Sequence, residues 1–275
     1  LITVAIPMAL SPGHSGDSVP VIEGFIRDKV RDARAKGVVI GLSGGLDSAV
    51  VAAMSVRALG PERVMCLMMP ERATPPQEME DARQLAQELG VEHLTVDIDP
   101  ILETFRQKLG GDVVDHAFGN VKARVRMTLL YYHGQTRGRL VMGTGNKSEL
   151  FMGYFTKYGD GGVDYQPLGD LYKTQVRALA AAIDLPARFL EKPPSAHLLP
   201  GQTDEDDLGI SYEDLDRILL GIEIGMNDEE IAKRTGLPAS EAARVRGVVT
   251  ATKHKRRIPL APKLGIRTIG WDWRE

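Results

Sequence analysis

The chain of 275 residues has a single cysteine, Cys66, so it can form no intrachain disulfide. Cys66 lies in the apolar run from Val64 to Met69 and reads as a small core residue, which implies a cytoplasmic protein. Neither sign of charge is in excess: 34 basic side chains stand against 37 acidic ones, a net charge of −3. That balance argues against a dedicated nucleic-acid binder and for a soluble protein. No apolar run approaches the roughly 20 residues of a membrane span. The longest candidate is cut by Ser43, Asp47 and several glycines. The apolar stretch from Leu1 to Leu10 has no basic flank and no convincing signal cleavage site. Internal repeats and low-complexity tracts are also missing. So is any Gly-Lys-Ser/Thr tripeptide, which excludes a Walker phosphate loop.

What is present is 43% hydrophobic residues, enough for one large or two small packed domains. Residues 1–18 read as a flexible lead-in and 19–275 as one domain. Apolar residues at helical spacing, Val21, Ile22, Phe25, Ile26 and Val30, predict a helix from Pro20 to Lys36. Strands are predicted at Val38–Leu42, Val64–Met69, His93–Ile98 and Arg139–Gly143. Helices at Asp47–Leu59, Gln77–Leu89 and Asn120–Tyr132 separate them, and Thr74-Pro75-Pro76-Gln77 reads as a helix start with capping-box character. This alternation predicts an α/β fold, a doubly wound parallel sheet with helices on both faces. Beyond Tyr172 the pattern is helical, at Tyr172–Ile183, Ser211–Leu220, Asp228–Thr235 and Ala239–Lys253, interrupted by a loop from Glu191 to Gly209. These are helical C-terminal additions.

The most informative stretch is Gly41-Leu42-Ser43-Gly44-Gly45-Leu46-Asp47-Ser48, set between the first strand and a helix. Glycines let a main chain approach an anion, and the amides of a helix N-terminus carry partial positive charge. The hydroxyls of Ser43 and Ser48 add donors. Asp47 is out of place beside an anion unless a cation lies between them. Three readings stay open on this loop alone, the plainest being a glycine-rich turn with no ligand. It satisfies the G-x-S-x-G elbow of serine hydrolases, with Ser43 as nucleophile. It also matches the SGGxDS loop of the N-type ATP pyrophosphatases, which cleave ATP between its α- and β-phosphates. A second block follows the last strand, Gly143-Thr144-Gly145-Asn146-Lys147-Ser148-Glu149, where Asn146 and Glu149 also fit a helix cap. An aromatic- and glycine-dense stretch runs on from Phe151 to Asp164.

In order along the chain come SGGLDSA, KARVRM at Lys122–Met127, GTGNKSE, GYFTKYGDGGVD, LYKTQVR, EKPPSA, GQTDEDDLGISY and KHKRR. Together they closely resemble the NAD synthetases, from Pro20 onward. The resemblance implies an adenine nucleotide alpha-hydrolase-like fold and ATP-dependent amidation of deamido-NAD (nicotinic acid adenine dinucleotide). Glutamine-using members carry a further amidohydrolase domain that these 275 residues do not contain, so the resemblance is to the ammonia-dependent form. It further implies that Gly41, Leu42, Ser43, Gly44, Gly45, Leu46, Asp47 and Ser48, with Thr144, Lys173 and Ser195, bind ATP. Asp47 and Glu149 are implied Mg²⁺ ligands. Arg124, Lys157, Asp164, His254 and Lys255 are implied contacts of deamido-NAD, with Asp164 alternatively orienting or deprotonating the incoming ammonium. Family members are homodimers with the dinucleotide site at the subunit interface, so a homodimer is expected here, with no nucleic-acid or membrane partner. The loops around Thr203–Asp207 and Glu71–Pro76 read as lids, and Trp271-Asp272-Trp273 as packing. Rival expectations are a GMP-synthetase-like amidotransferase, a hydrolase using Ser43, and a non-catalytic nucleotide sensor on the same fold.

Overall fold

The structure is a computed structural model that describes residues 13–110, 114–192 and 203–269, with the backbone alone for 13–17. Helix α1 (Gly13–Asp32) leads into strand β1 (Gly37–Gly41) and helix α2 (Leu46–Leu59). Then come β2 (Val64–Met68), α3 (Pro76–Glu88), β3 (Glu92–Thr95), α4 (Asp99–Leu109), α5 (Asp115–Arg137) and β4 (Arg139–Met142). The C-terminal part holds α6 (Lys147–Met152), α7 (Lys173–Ala182), α8 (Ala187–Leu190), α9 (Asp204–Leu208), α10 (Tyr212–Glu223), α11 (Asp228–Thr235) and α12 (Ala239–Ala251). Among the described residues no helix is long and apolar enough to cross a membrane.

The four strands form one parallel sheet in the order β3-β2-β1-β4. The chain runs outward from β1 through β2 to β3, then returns to place β4 on the other side of β1. The doubly wound arrangement is therefore as expected, and its switch point lies between β1 and β4. In such sheets the crevice at the carboxyl ends of those two strands is where ligands bind.

Strand residues alternate between the two faces. Val38, Ile40, Val64, Cys66 and Met68 pack with α1, α2, α3 and α7 in one core, through Ile26, Val50, Met54, Leu85 and Leu179. Val39, Met65, Leu67 and Val141 pack on the other face with Leu102 of α4 and Phe118 and Val125 of α5. Residues Ser48 to Ser55 of α2 are all buried, as expected of a helix with apolar or small residues on every side. Cys66 is buried and free, as its apolar setting predicts. A third cluster, with Tyr172, Tyr212, Leu215, Ile218, Leu219, Ile231 and Val245, joins α6, α10, α11 and α12 beside the sheet.

Several expectations need correction. Helix α1 begins at Gly13, so it takes in the last six residues of the segment read as lead-in, 13–18, and Pro20 lies inside it. Helix α4 was not anticipated; it opens Asp99-Pro100, where proline suits the first turn. Thr74 does not cap α3. Its hydroxyl accepts the Glu71 N–H at 3.0 Å, and Pro75 occupies the cap position. The segment from Glu191 to Gly209 holds α9, capped by the Thr203 hydroxyl on the Asp206 N–H. The expected lid at Thr203–Asp207 is thus largely helix. Glu71, at the start of the other expected lid, is buried and ion-paired to Lys122 at 2.6 Å. Trp271-Asp272-Trp273 lies outside the described residues.

Candidate active site

Two turns leave the sheet side by side, one after β1 and one after β4. The first is shaped by its own residues. Gly44 has φ +88°, and a Cβ there would lie 2.3 Å from the Glu78 carbonyl oxygen of α3, so only glycine fits. The Ser48 hydroxyl donates to the Gly45 carbonyl at 3.0 Å and accepts the Ser43 N–H at 3.2 Å. The Ser43 hydroxyl, 3.1 Å from that of Ser48, accepts the Gly45 N–H at 3.2 Å. Both hydroxyls, expected to add donors, hold the turn in shape. Leu42 is buried and Leu46 packs against the core, which leaves only their backbones toward the crevice.

The second turn runs through Gly143 and Thr144 to a capping box at the start of α6. The Asn146 side chain accepts the Glu149 N–H at 3.0 Å, and the Glu149 carboxylate accepts the Asn146 N–H at 3.2 Å. Asn146 does more than cap. Its Nδ2 donates to Asp47 Oδ2 at 3.2 Å, joining the two turns. Lys173, the first residue of α7, completes the junction: its Nζ donates to Asp47 Oδ2 at 2.5 Å and lies 3.9 Å from Glu149. It is 4% exposed, which rules out the ordinary solvated helix lysine that its sequence position allows.

Burial works against the Lys173 charge, but the carboxylates of Asp47, Glu149 and Asp204 outweigh it and hold the ammonium above its usual range. Burial and the charge of Asp47 push the Glu149 carboxyl well up, against the pull of Lys173. The Tyr212 ring lies 5.6 Å from the Lys173 Nζ, and its hydroxyl donates to Asp204 at 3.2 Å. One ammonium thus faces three carboxylates. The other Asp47 oxygen, Oδ1, is buried and makes no hydrogen bond. An acceptor left bare in an acidic pocket fits a hard divalent cation. Among the described residues no three acids, histidines or cysteines lie close enough to hold a metal on their own.

The residues expected to meet the dinucleotide form a second, more exposed patch. Arg124 on α5 donates to the Lys157 carbonyl at 3.3 Å, and the Lys157 Nζ donates to the His254 carbonyl at 2.7 Å. His254 Nδ1 lies 3.1 Å from the Ala251 carbonyl oxygen. Lys255 donates to the Gly153 carbonyl, with its Nζ 5.0 Å from the Phe155 ring centre. Asp164 is not bonded into this chain. It sits at the edge of β4, accepting the Val141 N–H at 2.8 Å and the Tyr131 hydroxyl at 3.1 Å. Burial and the Asp164 charge push the Tyr131 hydroxyl up to about 12. Arg256, part of the same basic run, turns inward onto the Phe151 and Val249 carbonyls and closes the ends of α6 and α12. Ser195 lies outside the described residues.

Sequence reasoning missed the groups behind the first turn. Lys192, in the motif EKPPSA, donates to the Gly44 carbonyl at 3.1 Å and pairs with Asp81 of α3. Burial disfavours the Asp81 charge, but hydrogen bonds from Lys192 and Gln77 outweigh it and hold that carboxyl below its usual range. Lys122 and Arg126, both in KARVRM, reach the β2–α3 connection through Glu71 and the Met69 carbonyl. The motifs contained these residues, but nothing in their spacing points to the partners. Among the described residues no histidine bonds to Ser43.

A family model, NAD synthase, matches residues 18–259. The NH(3)-dependent NAD(+) synthetase of Archaeoglobus fulgidus is 52% identical over 237 residues, covering 86% of this chain and 92% of that protein. That of Methanococcoides burtonii is 47% identical over 241 residues, covering 87% and 92%. Among solved structures, the NH3-dependent NAD synthetase of Campylobacter jejuni superposes with a TM-score of 0.78 at 34% identity, covering 90% and 99%. The NMN synthetase of Francisella tularensis gives a TM-score of 0.80 at 36% identity, covering 93% and 100%.

Proposed function

The chain belongs to the NAD synthase family, and from that membership we infer that it joins ammonia to the nicotinate carboxylate of deamido-NAD at the expense of ATP. It is a ligase forming a C–N bond. The observation that carries the reading is the junction of Asp47, Asn146, Glu149 and Lys173 at the mouth of the β1 and β4 turns.

A nicotinate carboxylate is a poor electrophile, because its leaving group is oxide or hydroxide. Attack of a carboxylate oxygen on the α-phosphorus of ATP forms the acyl-adenylate and expels pyrophosphate. Ammonia then adds to the acyl carbon, the C–O bond to AMP breaks, and a proton is lost to give NAD. The protein forms no covalent intermediate; it aligns the reactants, stabilises the leaving pyrophosphate and keeps water from the adenylate.

The turn Gly41–Ser48 wraps the triphosphate at the start of α2, where the N-terminal amides of the helix favour an anion, with Lys173 as a point charge beside it and Thr144 and Ser195 as further contacts. Asp47 and Glu149 would hold Mg²⁺, which neutralises phosphate charge when bound. The bare Asp47 Oδ1 supports this placement. Arg124, Lys157, His254 and Lys255 receive the dinucleotide, the cations of Arg124 and Lys157 suiting its pyrophosphate or carboxylate. Asp164, held by Val141 and Tyr131, orients the incoming ammonia or a substrate hydroxyl. We further propose a cytoplasmic homodimer whose second subunit completes the dinucleotide site, in keeping with the exposure of Arg124 and His254.

The test is direct. Incubated with ATP, MgCl₂, deamido-NAD and ammonium chloride, the protein is expected to release NAD, AMP and pyrophosphate in equal amounts. Nicotinic acid mononucleotide in place of deamido-NAD separates this reading from an NMN synthetase, and faster turnover of the mononucleotide would overturn the choice of substrate. ATP binding without AMP release would mark a sensor instead.

A further inference from the structure

Asp216 lies on α10, in none of the binding roles assigned above, and is 0% exposed. Its Oδ1 accepts the Ser148 hydroxyl. Its Oδ2 accepts both the N–H and the hydroxyl of Thr174, at 2.9 and 2.8 Å. The Ser148 oxygen in turn accepts the backbone N–H of Lys173 at 3.0 Å. Ser148 immediately precedes Glu149 in α6, and Thr174 immediately follows Lys173 in α7. One buried carboxylate therefore grips the chain neighbour of each of two charged groups that face Asp47.

The physical setting favours this use. The first N–H groups of a helix have no partner within it, and negative charge is favoured at that end. Asp216 and Ser148 together satisfy the first two such groups of α7. A carboxylate taken out of water is costly unless it is bonded, so its acceptors leave little freedom for α6 and α7 to shift against α10. A shift of even 1 Å between Glu149 and Lys173 matters at a site that works by alignment.

We propose that Asp216 is a positioning residue for the reaction, fixing α6 against α7 so that Glu149 and Lys173 meet Asp47 in register. The inference rests on the function proposed above.

The test compares the wild type with Asp216→Asn and Ser148→Ala, reading the thermal midpoint, kcat, KM for deamido-NAD and the half-saturating Mg²⁺ concentration. Asparagine keeps the volume and can still accept from Thr174, but its amide nitrogen cannot accept the Ser148 hydroxyl. For Asp216→Asn, kcat is expected to fall about tenfold and the Mg²⁺ requirement to rise about fivefold, with KM for deamido-NAD within about twofold. Ser148→Ala is expected to raise the Mg²⁺ requirement about threefold. A variant that only melts earlier, with Mg²⁺ requirement and kcat per folded molecule unchanged, overturns the proposal. If Asp216→Asn does not fold, Ser148→Ala decides on the same criterion. If the wild type makes no NAD, the proposed function fails separately. Mg²⁺-dependent ATP binding by calorimetry then decides the positioning role, with equal affinity in all three proteins overturning it.

Discussion

The turn after β1 and the turn after β4 leave adjacent strands of one sheet, yet they are held in different ways. The first takes its shape locally, from bonds among Ser43, Gly45 and Ser48 that span at most five residues, with Lys192 bracing its Gly44 carbonyl from 148 positions away. The second has a local cap, Asn146 with Glu149, but its chemistry is borrowed from a distance. Asn146 reaches Asp47 across 99 positions, Lys173 reaches Asp47 across 126, and Ser148 reaches Asp216 across 68. A phosphate cradle can be built from a few successive amides, because it needs only backbone N–H groups pointing one way. A pocket that sets three carboxylates around one ammonium cannot, because like charges that close need elements held rigidly by separate cores.

The sharpest way to break this comparison is at the atom both turns share. Asp47→Ala removes the acceptor of Asn146 and Lys173 and the bare oxygen together, and turnover is expected to fall by at least about 1000-fold. NAD formation at saturating Mg²⁺ checks this, and full activity would remove the metal assignment. Next comes a matched pair of glycines. Gly44→Ala puts a methyl 2.3 Å from the Glu78 carbonyl at a positive φ, whereas at Gly145 the nearest atom to a new Cβ is 3.7 Å away, on Gln166. Urea unfolding is expected to show a loss of about 3 kcal/mol for Gly44→Ala and under about 0.5 kcal/mol for Gly145→Ala. Equal losses would mean that the first turn is no more constrained than the second.

Farther out, Lys157→Ala breaks the link from the aromatic stretch to His254 and is expected to raise KM for deamido-NAD about tenfold while leaving that for ATP within about twofold. The reverse ordering in steady-state kinetics would move Lys157 to the nucleotide side. The smallest effect is expected at Ser43. Ser43→Ala loses a turn-shaping hydroxyl and is expected to slow turnover by about threefold. A fluorophosphonate is expected to leave the wild-type Ser43 unlabelled, as mass spectrometry of the intact protein can read.

The two blocks differ in the same sense in how far they could be read beforehand. Apart from α4, the strands and helices through β4 are legible because buried runs such as Val64–Met68 and the small-residue helix α2 carry their own periodicity. The capping box at Asn146 and Glu149 is legible because its partners are three residues apart. Helix α4 carries apolar residues at helical spacing, Ile101, Leu102, Phe105 and Leu109, yet buries only Leu102, and went unseen. Helix α9 is short and acidic, DEDDL, and is held by Thr203 at its start and by the Tyr212 hydroxyl donating to Asp204.

By itself, the order of residues determined the parallel α/β sheet, the glycine turn at its switch point and the family. Local periodicity, turn chemistry and a chain of motifs are properties of neighbours. Tertiary structure alone decided that Lys173 is buried against Asp47, that Lys192 stands behind Gly44, that Arg256 turns inward and that Asp216 ties α6 to α7. Each of these joins side chains that only packing brings within a few ångströms, and charge interactions depend on that separation and on the water excluded around it.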